Sequence, residues 1–138
     1  MQTDFLDAHN RHWDDAELLL AQKRLANADH LYGLATECGL KRLMLAFGMS
    51  FDTAKDRPTK GVDCKHADGI WGRFESYRCG HHRGAAYVLP NTNPFIDWGI
   101  NQRYANQNRF DDARVSQHKS GADTVRELVK KAQREGLL

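Results

Sequence analysis

The chain has 138 residues, of which 41% are hydrophobic and 28% charged, and its formal net charge is +2. These proportions are typical of a folded globular domain and exclude a disordered chain. The small net charge does not by itself indicate a nucleic-acid or membrane partner, and no apolar run approaches the roughly 18 residues that cross a bilayer.

The first predicted helix begins at a capping residue, Thr3 or Asp4, and ends near Lys23. Helical spacing places its apolar residues on one face: Phe5, Leu6, Trp13, Ala16, Leu19 and Leu20. His9 and His12 fall within the same apolar arc. We therefore expect an amphipathic helix that carries two histidines on its packed face.

The second predicted helix occupies about residues 27–48 and is apolar over more than half of its circumference. Asn27 is a suitable N-cap, Asp29 places a negative charge in the first turn, and Gly48 suits the position after the last turn. The apolar positions are Ala28, Leu31, Tyr32, Ala35, Cys38, Leu43, Leu45 and Ala46. Such a helix is usually central in a bundle.

Two more helices are expected further along the chain. One spans about residues 63–79, although Gly69 and Gly72 each weaken it by roughly 1 kcal/mol. The last runs from Asp111 or Asp112 to Glu135 and is followed by a glycine.

The segments between these helices are predicted to be loops. Residues 48–62 are rich in turn-forming residues, and the stretch before Pro90 has room for one or two helical turns. Residues 90–110 contain two prolines and several asparagines, which exclude a long helix. Their apolar residues predict a long ordered loop anchored to the bundle, a type of segment that often carries function: Phe95, Ile96, Trp98, Ile100 and Tyr104.

These elements predict one domain over residues 1–138, an all-α antiparallel bundle of four to five helices. The three cysteines, Cys38, Cys64 and Cys79, do not form a disulfide framework, and the polar N-terminus is unlike a signal peptide. A cytoplasmic location is therefore predicted.

Three segments of the first two helices form a recognisable progression. They are Asp14-Asp15-Ala16-Glu17-Leu18-Leu19 in the first helix, then Asn27-Ala28-Asp29-His30, and Gly33-Leu34-Ala35-Thr36-Glu37-Cys38-Gly39-Leu40-Lys41 in the second. Near the other end of the chain, Arg103-Tyr104-Ala105-Asn106 precedes the last helix. This pattern resembles HEPN domains (higher eukaryotes and prokaryotes nucleotide-binding). The resemblance covers about the first 47 residues well and residues 103–135 loosely.

The resemblance implies a helical bundle that is frequently homodimeric. It also implies either a nucleotide- or protein-binding module or a ribonuclease of a toxin–antitoxin or defence system. Catalytic members carry a spaced Arg and His near the last helix. Arg114 and His118 are closer together than in that motif, with three residues between them. Arg24 and His30 have a suitable spacing but precede the second helix.

Two sets of polar residues are candidate sites on the helices. His30, Glu37 and Lys41 share one stripe of the second helix; the alternatives are a solvated or half-buried ion pair and a contact with another helix or a dimer mate. Arg114 and His118 project from one face of the last helix, where an Arg could bind a phosphate and a His could transfer a proton. His9 and His12 could join His118 in a polar pocket.

The loops supply candidate nucleotide- or RNA-binding residues. Cationic and aromatic side chains there suit phosphate contact and base stacking: His81, His82, Arg83, Trp98, Arg103, Tyr104 and Arg109. Cys64 with His66, and Cys79 with His81 and His82, have zinc-ligand chemistry, but their spacing matches no common finger, so no metal site is predicted. No motif for a cofactor is present.

Three functions remain open from the residues. The first is a nucleotide- or RNA-binding helical module, in which residues 78–83 and 98–109 form one cationic–aromatic surface. The second is a metal-independent ribonuclease in which His118 transfers a proton and Arg114 holds the phosphate. The third is a non-enzymatic interaction or dimerisation module, with a homodimer mate, an antitoxin or another protein as partner. No membrane partner is expected.

Overall fold

The computed structural model describes residues 1–138 and contains four helices. They are α1 (Phe5–Ala21), α2 (Leu25–Ala46), α3 (Ala67–Cys79) and α4 (Asp112–Arg134). Two very short strands, β1 (Phe51–Asp52) and β2 (Arg57–Pro58), pair antiparallel, with Phe51 opposite Pro58. The predicted all-α bundle is confirmed, and the small hairpin lies in a segment predicted to be only a loop.

The helix ends follow their capping residues. Asp4 and Asp111 are the N-caps of α1 and α4. The Asp4 carboxylate accepts from two amides of the first turn and the Asp111 carboxylate from one, that of Arg114. Gly48 (φ +98°) and Gly136 (φ +68°) follow α2 and α4 in the left-handed conformation that glycine adopts at little cost. Lys23 takes the same position after α1, with φ +58°.

Helix α2 begins two residues before the predicted cap Asn27. The left-handed Lys23 closes α1 in a tight turn, in which the amide of Arg24 bonds the carbonyl of Leu19 at 2.9 Å. Arg24 then becomes the N-cap, and no side chain caps α2. Asp29 is consequently beyond the first turn, and its predicted role beside the helix dipole is wrong.

Helix α3 begins at Ala67, four residues later than predicted. Residues Gly61–Asp63 form a 3-10 helix instead. The buried Asp63 carboxylate accepts from Arg73 Nε at 2.6 Å and from the Tyr77 hydroxyl at 2.5 Å. These two contacts turn the segment back against α3.

Helix α2 lies at the centre, in contact with α1, α3 and α4. Its fully buried residues include Tyr32, Ala35 and Leu40, within one core cluster of 23 residues. A short turn makes α1 antiparallel to α2. Helix α4 runs in the same direction as α2, since Asp29 lies beside His118 and Gly39 lies beside Val125. The long connection before α4 permits this arrangement.

The 90–110 segment is an ordered loop with two 3-10 helices, Ile100–Tyr104 and Gln107–Arg109. Phe95 and Trp98 are buried anchors, as predicted. Ile96 and Tyr104 are not, because they are 81% and 76% exposed. The loop is therefore held through fewer apolar side chains than expected, and polar contacts complete the attachment.

Candidate functional site

Arg114 and His118 lie together with two aspartates where α2, α4 and the 90–110 loop meet. His118 is fully buried, with Nδ1 2.7 Å from Asp29 Oδ1 and Nε2 3.0 Å from Asp97 Oδ1. Arg114 donates to the Asp97 carboxylate and, at 2.8 Å, to the Asp97 backbone carbonyl. We call Asp29, Asp97, Arg114 and His118 the charge cluster.

Asp29 is the fully buried carboxylate on which the charge cluster converges. Its Oδ2 accepts from Gln102 Nε2 at 2.8 Å and lies 3.4 Å from Arg114 Nε. Its backbone carbonyl accepts the indole N–H of Trp98 at 3.2 Å. A buried ion without partners costs several kcal/mol, so these contacts are required for the carboxylate to remain buried. The cluster thereby fastens the loop to both helices.

Sequence reasoning did not assign Asp29, Asp97 or Gln102 to this site. For Asp29 the sequence did contain one signal, its spacing. Tyr32 and Gly33 follow it by three and four residues, so Asp29 lies on the same face of α2 as they do. A carboxylate on the packed face of a central helix needs a cationic or donor partner. The sequence offers no comparable signal for Asp97 or Gln102, because only the loop conformation brings them to Asp29.

Asp97 has a side chain that is 49% exposed. Partial burial opposes its ionisation, but the hydrogen bond from His118 and the charge of Arg114 outweigh this and lower the pKa of Asp97. A lowered carboxyl pKa in the folded state stabilises the fold above the unfolded value of about 3.8. This stabilisation is lost as the pH falls through the lower, folded-state pKa.

The position of His118 bears on the predicted ribonuclease pair. Both of its ring nitrogens are occupied by carboxylates, and the ring of Phe95 stacks on it with centroids 5.1 Å apart. A general acid or base must come within hydrogen-bond reach of the substrate proton. His118 has no exposed atom for this purpose, so the geometry favours an anchoring role for the pair.

The predicted polar stripe of α2 separates into two parts. Lys41 Nζ is 2.5 Å from Glu37 Oε1 in a buried ion pair, and Glu37 Oε2 is 2.9 Å from His66 Nδ1. His30 is not part of this pair. Its ring stacks on Trp98 with centroids 5.4 Å apart, and its Nδ1 is buried without a hydrogen-bond partner.

His9 and His12 do not join His118 in a common pocket. The buried His9 places Nδ1 2.7 Å from the carbonyl of Ala35, and its ring lies against Gly39. The residue of α1 that reaches α4 near His118 is Glu17, which pairs with Lys119 at 2.7 Å. His9 is eight residues earlier, about 12 Å along the helix. The predicted pocket is therefore wrong.

Burial of His9 makes stability depend on pH. Desolvation is the largest effect, and it lowers the pKa of His9, as it does for His12 and His30. The unfolded chain therefore binds more protons below about pH 6.5, the ordinary value for histidine. The stabilisation is complete above that pH and is lost as the pH falls.

We expect His9→Asn to reduce this acid sensitivity, because the Asn amide still donates to Ala35 but does not titrate. Each such group contributes at most about 1.4 kcal/mol per pH unit. Urea unfolding at several pH values between about 5 and 7 measures the slope. His82→Asn, an exposed histidine, is the control. An unchanged slope in His9→Asn contradicts the assignment.

The predicted cationic–aromatic surface is divided between opposite ends of the molecule. His81 packs on Phe47 at the end of α2, with ring centroids 5.1 Å apart, and Arg83 donates to the carbonyl of Glu135 beyond α4. His82 stacks on His81. Arg103 lies near the start of α2, roughly 25 Å away along that helix. Residues 78–83 and 98–109 therefore do not form one surface.

Trp98 is also unsuitable as a stacking platform for a base. Its side chain is 2% exposed and lies against Gly33 and His30. Tyr104 remains exposed, with the Arg103 guanidinium 4.8 Å from its ring centroid. Arg109 is also exposed.

A cavity of about 370 Å³ lies at the start of α2. We call it the α2 cavity. Lys23, Arg24 and Arg103 line it, together with amide side chains and the first turn of α2. Its remaining lining residues are Leu25, Ala26, Asn27, Gln102, Ala105, Gln107, Asn108 and Phe110. Arg24 and Arg103 have no carboxylate partner, and Lys23 has only a long exposed contact, 3.8 Å, with Asp112. The cavity is thus lined by cations and hydrogen-bond donors.

No group of three or more His, Cys, Asp or Glu side chains is arranged to hold a metal ion. None of the helices has the length and apolar character of a membrane span. Comparison with protein-family models, with characterised proteins and with solved structures yields no match. The geometry of the charge cluster and the α2 cavity therefore carries the functional argument.

Proposed function

We propose that the protein is a nucleotide- or RNA-binding module that holds a phosphate group in the α2 cavity. The observation that carries this proposal is the lining of the cavity. Two arginines without carboxylate partners and one lysine converge on the uncapped start of a 22-residue helix.

The start of α2 is suited to an anion. No side chain caps this helix, so its first amide N–H groups are free to donate. The helix dipole adds a partial positive charge at the same end. Guanidinium groups bind phosphate oxygens through charge-assisted, often bidentate hydrogen bonds. Arg24 and Arg103 supply such groups to the cavity.

The loop beside the cavity is suited to a base. Tyr104, between the lining residues Arg103 and Ala105, is 76% exposed, and Arg103 stacks against its ring. Aromatic and guanidinium planes stack on bases without strong sequence preference, at about 1–3 kcal/mol per base. A phosphate in the cavity and a base on Tyr104 fit one nucleotide, either free or within a single strand.

The other predicted functions have different support. The ribonuclease proposal loses its proton-transfer group, because His118 is buried between carboxylates. A protein-interaction module is supported by the exposed Ile96, which borders a groove of about 440 Å³ beside Trp71 and Gly121. HEPN membership, a homodimer and an antitoxin partner stay predictions.

We expect Arg103→Ala to weaken binding of a short single-stranded RNA, or of a labelled nucleotide, by about tenfold, because a hydrogen bond to a charged group is worth about 1.5–3 kcal/mol. Arg24→Ala has the same expected direction. Fluorescence anisotropy at two salt concentrations measures the affinity, and each variant is expected to show a shallower salt dependence.

The matched control is Arg134→Ala, which removes an exposed arginine from the last turn of α4. The first turn of α4, at the other end of the helix, is the one near the cavity residue Lys23. Arg134→Ala changes the net charge equally and is expected to leave affinity nearly unchanged. Equal losses in Arg103→Ala and Arg134→Ala indicate non-specific attraction and contradict the cavity. Folded wild-type protein that binds neither RNA nor nucleotide at about 100 μM rejects the proposal, since non-specific affinities alone reach this range.

A further inference from the structure

The histidine of the charge cluster is held between two carboxylates. Nδ1 faces Asp29 at 2.7 Å and Nε2 faces Asp97 at 3.0 Å, both normal hydrogen-bond distances. A neutral imidazole has one N–H and one lone pair, whereas an imidazolium has two N–H groups. Ionised carboxylates only accept hydrogen bonds. Between two ionised aspartates, both of these hydrogen bonds form only when the ring is doubly protonated.

The charges of the cluster lead to the same conclusion. Helix α2 supplies the negative Asp29, the loop supplies the negative Asp97, and α4 supplies the positive Arg114. No ion pair or hydrogen bond joins His118 to α1 or α3, and the loop also covers it with the uncharged ring of Phe95. With an imidazolium the cluster is neutral, whereas with a neutral histidine one negative charge remains uncompensated.

The charge cluster is joined to the α2 cavity through Gln102. This residue lines the cavity, and its side-chain amide is held at both ends by the cluster. It donates to Asp29 Oδ2 at 2.8 Å and accepts from Arg114 at 3.1 Å. Arg103, the next residue, carries one of the cationic groups of the cavity. The position of this arginine therefore depends on the contacts that hold residues 97–102.

We propose that a proton on His118 locks residues 97–104 against α2 and α4, making Asp97 and His118 positioning residues for phosphate binding in the α2 cavity. This proposal rests on the function proposed above. When the proton leaves, the Nε2 lone pair faces the Asp97 carboxylate, and this contact becomes repulsive. Asp97 is the partner that moves, since it is half exposed while Asp29 is buried. RNA affinity is therefore expected to depend on the contact between Asp97 and His118.

The first test needs no ligand. Nitrogen-15 NMR of the folded wild-type protein reports the protonation of each imidazole ring. We expect both nitrogens of His118 to carry protons in the wild type, because each nitrogen faces a carboxylate. In Asp97→Asn the new amide donates to Nε2, so the ring is expected to become singly protonated. A singly protonated His118 in the wild type overturns the proposal.

The second test measures the affinity for a single-stranded RNA without terminal phosphates. We expect Asp97→Asn to bind this RNA at least about fivefold more weakly than the wild type, the lower end of typical coupling between sites.

Asp123→Asn is the matched control, because it removes an exposed carboxylate from α4 and is expected to keep the wild-type affinity. Equal affinities in wild type and Asp97→Asn overturn the proposal. The two proposals fail separately: absence of RNA binding in the wild type rejects the function, while the NMR result on His118 stands or falls independently of any ligand.

Discussion

Asp29→Ala is expected to lower the free energy of unfolding by about 3–5 kcal/mol, the usual cost of removing one partner from a buried ion pair. The variant leaves His118 fully buried beside an empty position and removes the acceptor of Gln102. It also leaves Arg114 and His118 with Asp97 as their only carboxylate partner. The loss is therefore larger than that of one hydrogen bond.

Chemical denaturation and thermal unfolding measure this effect. For a chain of this length, about 3–5 kcal/mol corresponds to a decrease in Tm of roughly 10–17 °C. Asp15→Ala, which removes an exposed carboxylate from α1, is the control and should stay within about 0.5 kcal/mol of wild type. If the two variants have similar stability, Asp29 is not the residue that fastens the loop to the helices.

Gly33→Ala is expected to cost about 2–4 kcal/mol, from overpacking and from the loss of a hydrogen bond. A Cβ at this position of α2 would lie 2.0 Å from Cε2 and 2.3 Å from Nε1 of Trp98. The indole must therefore move, and it then loses its bond to the Asp29 carbonyl. Residues 97–104 move with it, so RNA affinity is also expected to fall.

Gly72→Ala tests whether this effect is local. Gly72 is an exposed residue of α3, and a Cβ there meets no atom within 4 Å. Replacing glycine by alanine in a helix interior usually stabilises by about 0.5–1 kcal/mol. The two substitutions are thus expected to change the free energy of unfolding in opposite directions. A neutral Gly33→Ala contradicts the close packing of Trp98 on α2.

The helices were predictable because their signals are local. The apolar period of α1, α2 and α4 selects the face that packs, and Asp4, Asp111, Gly48 and Gly136 satisfy or close the helix ends. The predicted start of α2 was wrong because Lys23 occupies the left-handed position that ends α1, where glycine or asparagine is usual.

The candidate site was only partly predictable. Arg114 and His118 were found because helical spacing places them on one face, and the structure brings them together. Their partners were missed because Asp97 and Gln102 lie in an irregular loop, where no period relates sequence to direction. Trp98 and Tyr104 lie in the same loop and were both predicted to stack on a base. Trp98 is buried and Tyr104 is exposed, a difference that the loop conformation decides and the sequence does not show.

By itself, the sequence determines an all-helical bundle with a central α2, because apolar periodicity and capping act over a few residues and need no distant partner. Only the tertiary structure decides what the polar residues do. Whether His118 transfers or holds a proton, and whether Arg24 and Arg103 face a cavity, depends on contacts between residues up to 89 positions apart. Such contacts form when α2, α4 and the loop pack together, and they are decided by the charge and solvation energies of the groups that meet there.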